Sequence, residues 1–473
     1  MIPHLEGPRP AAGQTVRGEI VDLAYGGSGV LRVSGWVVMV PGAFPGDRVL
    51  AHLRRKRKGL FEGELLAIEA ASPDREPPAC PHAALCGGCA LQGLAPGAQT
   101  RWKDAQARQL LQRIGKVTPE RIEEPWPSPA PWFYRNKMEF TFGRRPWVAK
   151  ARLLEEGPPA ESPALGLHPR RRFNAVFDVD DCRLQSPLSN RIVRAVRAAA
   201  RERRLEAYDS RTDSGLLRHL VIRQSANSPE LLLSLVARRE DPALLELARA
   251  AAASVPEITG AVAAINQRRA TVAQGDYEVP LLGDACWYET VAGLRFRIGA
   301  SSFFQIQAPG AEALVATALA WLAPAGSERV LDLYCGAGTF SLPLAQRTAH
   351  LLGVEALPQA VAEARENAAR NGIAGADFLC AQIEERGEQA WQRESWDLVL
   401  IDPPRSGLHP RALERIRALH PPRILYVSCN PATLARDAGA LVQEEGYRPR
   451  RLKVFDLFPQ TPHLESMLLL ERA

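Results

Sequence analysis

Long hydrophobic runs are missing from this 473-residue sequence. The longest uncharged apolar stretch covers residues 313–325, whereas a membrane-spanning helix needs about 18 or more apolar residues in succession. The first twenty residues include His4, Glu6 and Arg9 and have no apolar segment, so they do not resemble a secretory signal. We therefore predict a cytoplasmic protein that has no membrane partner.

Lysine is also scarce, because it accounts for only seven of the 59 basic side chains and arginine supplies the rest. Arginine binds phosphate through paired hydrogen bonds and stacks on bases, which suits a protein that binds RNA. A genome rich in G and C produces the same bias. The arginine content and the formal net charge of +6 therefore do not decide between these explanations.

Cysteine is sparse as well, with eight residues in the chain. In a cytoplasmic protein these thiols are not expected to form a disulfide framework. Cys80, Cys86 and Cys89 nevertheless fall within ten residues, and Cys182 lies far downstream. Four thiolates can hold zinc or an iron–sulfur cluster, and the C-x5-C-x2-C spacing alone does not choose between them.

Composition divides the chain into three predicted units. Residues 1–71 contain short β-prone segments separated by glycine and proline, which indicates a small β-barrel. Residues 72–300 begin with a proline-rich linker and then alternate strand-like runs with arginine-rich helices, which indicates a mixed α/β domain. Residues 301–473 alternate buried strands with helices, which predicts a mostly parallel, doubly wound sheet.

A run of basic residues lies between two predicted strands of the barrel, and its members are Arg54, Arg55, Lys56, Arg57 and Lys58. Such a run is usually only a solvated face. In a hairpin, however, it is placed to bind a phosphate backbone. We therefore predict that this basic run binds RNA.

A glycine-rich turn, DLYCGAGT at 332–339, connects a predicted strand to a helix. Glycine lets the backbone approach a ligand closely, and open α/β sheets bind ligands at the carboxyl ends of their strands. Glu355 ends the next predicted strand, where a carboxylate can accept hydrogen bonds from two ribose hydroxyls. The G-x-G-x-x-G motif is absent, which disfavours NAD. These features resemble the Rossmann-like fold of S-adenosylmethionine-dependent methyltransferases.

Two motifs follow the fourth and fifth predicted strands. Asp402, in Asp-Pro-Pro, is similar to a motif of nucleic-acid methyltransferases and by itself fits methylation of an amino group. Cys429 favours a pyrimidine carbon instead, because thiolate addition at carbon 6 makes carbon 5 nucleophilic. A helix beginning near Pro431 is expected to lower the pKa of this thiol below about 8.5. Glu465 is the candidate base for the carbon 5 proton.

Over nearly its whole length, the chain resembles an RNA uracil-5-methyltransferase of the bacterial 23S ribosomal RNA branch. The resemblance rests on Tyr-Arg-Asn-Lys at 134–137, Phe-Phe-Gln at 303–305, the cysteine spacing and the motifs around Cys429 and Glu465. It implies that the barrel is a TRAM domain, which is an OB-like RNA-binding module. It also implies that part of residues 90–130 completes the catalytic domain.

The resemblance further implies which residues form the sites. Cys429 is the nucleophile and Glu465 the general base. The implied ligands of a 4Fe-4S cluster are Cys80, Cys86, Cys89 and Cys182. The implied positions around S-adenosylmethionine are Gln305, Tyr334, Gly336, Thr339, Glu355, Gln382 and Asp402.

The implied reaction is methyl transfer from S-adenosylmethionine to carbon 5 of a specific uridine in 23S ribosomal RNA. The uridine must be flipped out of folded RNA to reach a thiol. The reaction has no redox step, so a cluster is expected to be structural or to orient RNA. We expect a monomer without an obligate protein partner.

Three alternatives are compatible with parts of the sequence. A uridine in the T-loop of transfer RNA is the nearest one, because related enzymes share the catalytic domain. A radical enzyme is disfavoured, since such enzymes usually carry C-x3-C-x2-C. A non-catalytic iron–sulfur RNA-binding protein is disfavoured by the complete set of site residues.

Overall fold

The computed structural model describes residues 10–472 apart from 58, 150–152, 156, 158, 160, 270, 271, 386 and 388. The described residues form an N-terminal barrel, a central mixed sheet and a C-terminal sheet flanked by helices. Among the helices that the structure describes, none has the length and apolar character of a membrane crossing.

Five strands close the N-terminal barrel in the order β1-β2-β3-β5-β4. Their bounds are β1 (Thr15–Ala24), β2 (Ser28–Val33), β3 (Trp36–Pro41), β4 (Arg48–Arg57) and β5 (Leu60–Ala70). Alternate side chains point inward, and Ile20, Leu31 and Val49 are fully buried. Gly29 is needed in β2, because a Cβ there would lie 2.5 Å from the Ala43 carbonyl oxygen. The predicted barrel is confirmed.

A helical segment and a short strand follow the barrel. They are α1 (Pro96–Leu110), which continues into a π-helical turn at Leu111–Gly115, and β6 (Arg121–Ile122). Proline at the first helical position suits the start of α1, because its missing N–H would have had no partner there.

The central domain is built on a seven-stranded mixed sheet. Its elements are β7 (Lys137–Gly143), β8 (Ala164–Leu167), β9 (Phe177–Asp178), α2 (Pro187–Glu202), β10 (Leu217–Gln224), β11 (Leu231–Ala237), α3 (Pro242–Ser254), β12 (Gly260–Ile265) and β13 (Tyr277–Gly283). The strand order is β13-β12-β11-β10-β7-β8-β9. Ser186 and Asp241 cap the two helices, which share one apolar core with the sheet. The predicted mixed α/β architecture is confirmed.

A hairpin, β14 (Cys286–Val291) and β15 (Leu294–Gly299), leads into the C-terminal sheet. The strands that follow are β16 (Arg329–Leu333), β17 (His350–Glu355), β18 (Ala376–Cys380), β19 (Leu398–Ile401), β20 (Arg423–Ser428), β21 (Tyr447–Phe455) and β22 (Glu465–Arg472). The helices are α4 (Ala308–Leu322), α5 (Ser341–Ala345), α6 (Pro358–Arg370), α7 (Pro410–Leu419) and α8 (Pro431–Glu445).

The order of the C-terminal sheet is β18-β17-β16-β19-β20-β22-β21-β6. The first five strands are parallel, and β22 runs antiparallel between β20 and β21. β19 is buried along its whole length, as expected for a parallel strand covered on both faces. The sheet confirms the doubly wound pattern that the sequence predicts.

The segment after the barrel belongs to this C-terminal layer. β6 extends the sheet beside β21, and a Cβ at Gly115 would lie 2.2 Å from the Ala435 carbonyl oxygen, so the π-helical turn packs directly on α8. Lys103 of α1 forms a buried 2.5 Å ion pair with Asp456 and donates to the Phe458 carbonyl oxygen at 3.0 Å. The layer therefore includes residues that precede the central domain in the chain.

We predict that Lys103→Met lowers the free energy of unfolding by about 3–5 kcal/mol, because it leaves the Asp456 carboxylate buried without its partner. Urea denaturation followed by tryptophan fluorescence measures the change. The control on the same helix is Arg101→Met, whose ion pair with Asp74 is exposed, and we expect less than about 1 kcal/mol there. Equal effects of the two substitutions would contradict this prediction.

Candidate active site

The carboxyl ends of five parallel strands meet at one edge of the C-terminal sheet. Leu333 at the end of β16 pairs with Val354 of β17 on one side and with Ile401 of β19 on the other. Ile401 in turn pairs with Tyr426 of β20. The motifs that follow these strands are therefore brought to the same edge, where open α/β sheets bind ligands.

The turn after β16 forms the cradle of a ligand site. Tyr334, Gly336 and Gly338 all have positive φ, at 66°, 55° and 90°. No atom lies within 4 Å of a Cβ placed on Gly336, so open space adjoins its backbone. The Glu355 carboxylate is held at this turn, because it accepts hydrogen bonds from the N–H groups of Gly336 at 3.1 Å and Leu357 at 2.9 Å.

Further implied cofactor positions come from other parts of the chain. Thr339 follows the second glycine, and Gln382 follows β18 directly after Ala381, whose N–H donates to the Glu355 carbonyl oxygen at 2.9 Å. Gln305 is buried, and its carbonyl oxygen accepts a hydrogen bond of 2.8 Å from the Asn136 side chain. Asn136 thus links the two family signatures, a positioning role that the sequence did not reveal.

Two carboxyl groups lie at the same edge, of which Asp332 is buried and Asp402 is partly buried. Burial raises the pKa of Asp402 to about 7. Burial also raises the pKa of Asp332 to about 7, and the charges of Asp402 and Glu355 add to that effect. Ser341 donates to Asp332 at 2.5 Å. Asp332 opens the glycine-rich motif, and a carboxylate inside a buried strand is itself a sequence signal for a functional position.

Cys429 and Glu465 are placed opposite each other by the register of β20 and β22. Ser428 pairs with Ser466 at the end of this antiparallel ladder, so the next opposed positions are Cys429 and Glu465. The Ser466 hydroxyl donates to the Ser428 carbonyl oxygen at 3.1 Å and fixes the register there. Two motifs that are distant in sequence therefore form one pair.

The sequence predicts a lowered pKa for Cys429, and this prediction is wrong for the protein without bound RNA. Burial raises the pKa of the thiol to about 12, and the charges of Glu465 and Asp402 act in the same direction. At the start of α8 the Asn430 side chain, and not the thiol, accepts from the Ala432 N–H at 3.1 Å. Burial, with the charge of Asp402, also raises the pKa of Glu465 well above its usual range.

The four predicted cluster ligands line a single cavity. Cys80, Cys86, Cys89 and Cys182 surround a volume of about 430 Å³ between the barrel and the central domain. Burial raises the pKa of the last three, and each of these is raised further by neighbouring thiols of the set. In the described ranges, no three His, Cys, Asp or Glu side chains form a group that could hold a metal ion.

The basic run is partly neutralised by the neighbouring strand. Arg54 forms a 2.7 Å ion pair with Glu64, and Arg55 forms two hydrogen bonds with Glu62 at 3.0 and 3.1 Å. Lys58 lies outside the described residues. RNA binding by this run stays a prediction.

We predict that alkylation of Cys429 by iodoacetamide is slow in the free protein between pH 7 and 9 and accelerates about tenfold per pH unit, because only the thiolate reacts and its pKa is about 12. Mass spectrometry of the peptide that carries Cys429 measures the rate. The exposed Cys380 reports reagent access in the same sample. A Cys429 rate that is already constant with pH at pH 7 would show an ionised thiol and contradict the prediction.

Comparison with known sequences places the chain in a family. Residues 291–473 match the family described as tRNA (uracil-5-)-methyltransferase. The chain is 36% identical over 456 residues to a protein of Halalkalibacterium halodurans named as an uncharacterized RNA methyltransferase, with 96% of each chain covered. A protein of the same description from Porphyromonas gingivalis is 35% identical and covers 96% of this chain and 99% of its own.

Comparison with solved structures agrees. The crystal structure of Pyrococcus abyssi tRNA (uracil-54, C5)-methyltransferase with S-adenosyl-L-homocysteine matches with a TM-score of 0.73 and 26% identity over 96% of this chain and 100% of that one. The predicted methyltransferase fold is therefore confirmed, and S-adenosylmethionine is supported as the cofactor. The chain belongs to the tRNA (uracil-5-)-methyltransferase family and is an S-adenosylmethionine-dependent RNA uracil-5-methyltransferase.

Proposed function

We propose that the protein methylates carbon 5 of a uridine in 23S ribosomal RNA through a covalent bond between Cys429 and carbon 6 of the uracil. The observation that supports the mechanism is the ladder register that sets Cys429 opposite Glu465, at the sheet edge that carries Glu355 and Asp402. A nucleophile, a base and a cofactor cradle are the three components that this chemistry needs.

The first step is addition of the Cys429 sulfur to carbon 6. The thiol must pass its proton to an acceptor, and we assign Asp402 to this role, because its charge acts on Cys429 and its pKa of about 7 leaves its carboxylate partly ionised at neutral pH. As the sulfur–carbon bond forms, the electrons of the carbon 5–carbon 6 double bond move to the carbonyl oxygen on carbon 4. The resulting enolate makes carbon 5 a nucleophile.

The second step is transfer of the methyl group that S-adenosylmethionine supplies. Carbon 5 then holds both a methyl group and a proton. Removal of that proton restores the double bond and expels the Cys429 sulfur. Glu465 is the base that we assign to this step, because burial, which raises its pKa, makes its carboxylate a stronger base.

The target RNA has two candidates. The sequence resemblance favours 23S ribosomal RNA. A uridine in transfer RNA is the second candidate, because the similar Pyrococcus abyssi chain is named for uracil 54 of transfer RNA. That similarity covers 96% of this chain, so possession of an N-terminal barrel does not by itself select ribosomal RNA.

We expect the purified protein to transfer methyl groups to unmodified 23S ribosomal RNA, and Cys429→Ala to lose this activity because no adduct can form. Tritium from labelled S-adenosylmethionine is counted in separate reactions with ribosomal and transfer RNA, and the 5-methyluridine is mapped by mass spectrometry. Methylation of transfer RNA but not of ribosomal RNA would show that transfer RNA is the target. Carbon 5 methylation by Cys429→Ala would reject the covalent mechanism.

Glu465→Gln is predicted to accumulate a methylated covalent enzyme–RNA complex, because addition and methyl transfer proceed while the amide cannot take the carbon 5 proton. Denaturing electrophoresis with labelled RNA detects the complex. Glu471→Gln, an identical change at the far end of β22, is the control and should turn over normally. Normal turnover of Glu465→Gln would show that Glu465 is not the base that takes the carbon 5 proton.

We also propose that the cavity lined by the four cysteines holds a 4Fe-4S cluster. The donor set suits a cluster better than a single ion, since four thiols line one space of about 430 Å³ and a 4Fe-4S cluster takes one cysteine on each iron, so the thiols need not converge on one metal. The Gly88 N–H donates to the Cys86 sulfur at 3.4 Å, the kind of hydrogen bond that tunes such sulfurs. The group would supply no step of the methylation, and its cysteines would join residues 80–89 to the central domain.

We expect anaerobically purified protein to be brown, with broad absorption near ~400 nm and about four irons per chain. Serine at Cys80, Cys86, Cys89 or Cys182 should each reduce bound iron, whereas Cys286→Ser, at a buried cysteine elsewhere, should retain it. Iron and zinc are measured by elemental analysis. Stoichiometric zinc in a colourless sample would refute the cluster.

A further inference from the structure

The barrel reaches the active site through the turn that joins β1 to β2. The end of β1 is fixed to α1, because the Gln106 side chain donates to the Leu23 carbonyl oxygen at 2.7 Å. The Leu23 side chain is fully buried against Leu91 and Ala98. The turn that follows therefore has a defined position relative to the C-terminal layer.

The turn is held between two segments at Gly27. A Cβ on Gly27 would lie 3.3 Å from side-chain atoms of Ala90 and Leu91 and 3.5 Å from Pro462, and the residue has a φ of 86°. Pro462 belongs to the loop that leads into Glu465. The barrel backbone thus contacts the loop that carries the proposed base on one side and the cysteine segment on the other.

Tyr25 lies in this turn, and its buried hydroxyl group has no hydrogen-bond acceptor among the described residues, because the neighbouring Arg405 side chain can only donate to it. Burial and the charges of Cys429 and Glu465 raise its pKa, and the Arg405 guanidinium acts in the opposite direction. The charges of the nucleophile, the base and one cation therefore act on this hydroxyl, which lies two residues before the Gly27 backbone that packs beside Pro462. Arginine has no acceptor, so the phenolic proton needs an acceptor from outside the described groups.

A buried donor without an acceptor costs about 1–3 kcal/mol of stability. A tyrosine hydroxyl that is kept in this state beside a reaction centre therefore indicates a bound ligand that supplies the missing acceptor. The flipped uracil is the group that must enter this space beside Cys429. Its carbon 4 carbonyl oxygen is an acceptor in the free base, and it takes up negative charge when the sulfur adds to carbon 6. A neutral phenol that stays protonated is suited to donate to that oxygen.

We propose that Tyr25 is a catalytic residue supplied by the barrel, whose hydroxyl donates a hydrogen bond to the carbon 4 oxygen of the target uracil and stabilises the enolate. This inference rests on the covalent mechanism proposed above. The barrel then completes the catalytic centre in addition to any contact that it makes with flanking RNA.

The test is Tyr25→Phe, which removes one oxygen atom and keeps the ring that fills the turn. We expect kcat to fall by about 10–1,000-fold, as for loss of one donor to a developing oxyanion, while the Kd for RNA changes less than about twofold. The rate of covalent complex formation with RNA that contains 5-fluorouridine should fall by the same factor as kcat. The melting temperature of the free protein should not fall, because the substitution removes a buried donor that has no acceptor there.

The matched control is Tyr277→Phe on β13, where the lost hydroxyl bonds Glu240 at the surface of the central domain at 2.9 Å, and it should retain full activity. An unchanged kcat for Tyr25→Phe, or a loss confined to RNA affinity, would overturn the proposal. Failure of the covalent mechanism can be told apart from failure of the Tyr25 proposal. If the covalent mechanism is wrong, Cys429→Ala remains active, whatever the result for Tyr25→Phe.

Discussion

The pairing of β22 with β20 is the constraint on which the active site depends. An antiparallel strand inserted after five parallel ones brings the start of β22 to the end of β20, so that the residue before Ser466 meets the residue after Ser428. A shift of β22 by one residue in this ladder would turn Glu465 to the opposite face of the sheet, while Cys429 would keep its place because β20 is also paired with β19. The chemistry of the thiol and the carboxyl group therefore depends on backbone hydrogen bonds several residues away.

The loop between β21 and β22 must be held for that register to present Glu465 correctly. Helix α1, which is not a strand of the methyltransferase sheet and precedes it in the chain, holds this loop in place. Lys103 binds the loop at Asp456 and Phe458, and the Gln99 side chain accepts from the Gln460 N–H at 2.7 Å. The Tyr134 hydroxyl donates to the Pro459 carbonyl oxygen at 2.9 Å from the start of the central domain. Polar groups from α1 and from the start of the central domain thus fix the loop that connects β21 to β22.

Sequence reasoning found the sheet edge because glycine, acidic residues and cysteine follow buried strands at positions where parallel strands end together. It could not find effects that depend on neighbours distant in the chain. The direction of the Cys429 pKa shift depends on burial and on Glu465, and the local helix start predicts the opposite sign. The pairing of Arg54 and Arg55 depends on which side chains face them from β5. Tyr25 carries no local signal, since its relevance comes from where the barrel docks.

The clamp on the β1–β2 turn has a geometric consequence. With Gly27 packed between the cysteine segment and Pro462, any pivot of the barrel about its linker would break its contacts with the loop that leads into Glu465. Any nucleotide bound on the barrel surface therefore lies at a set distance and angle from the Cys429 sulfur.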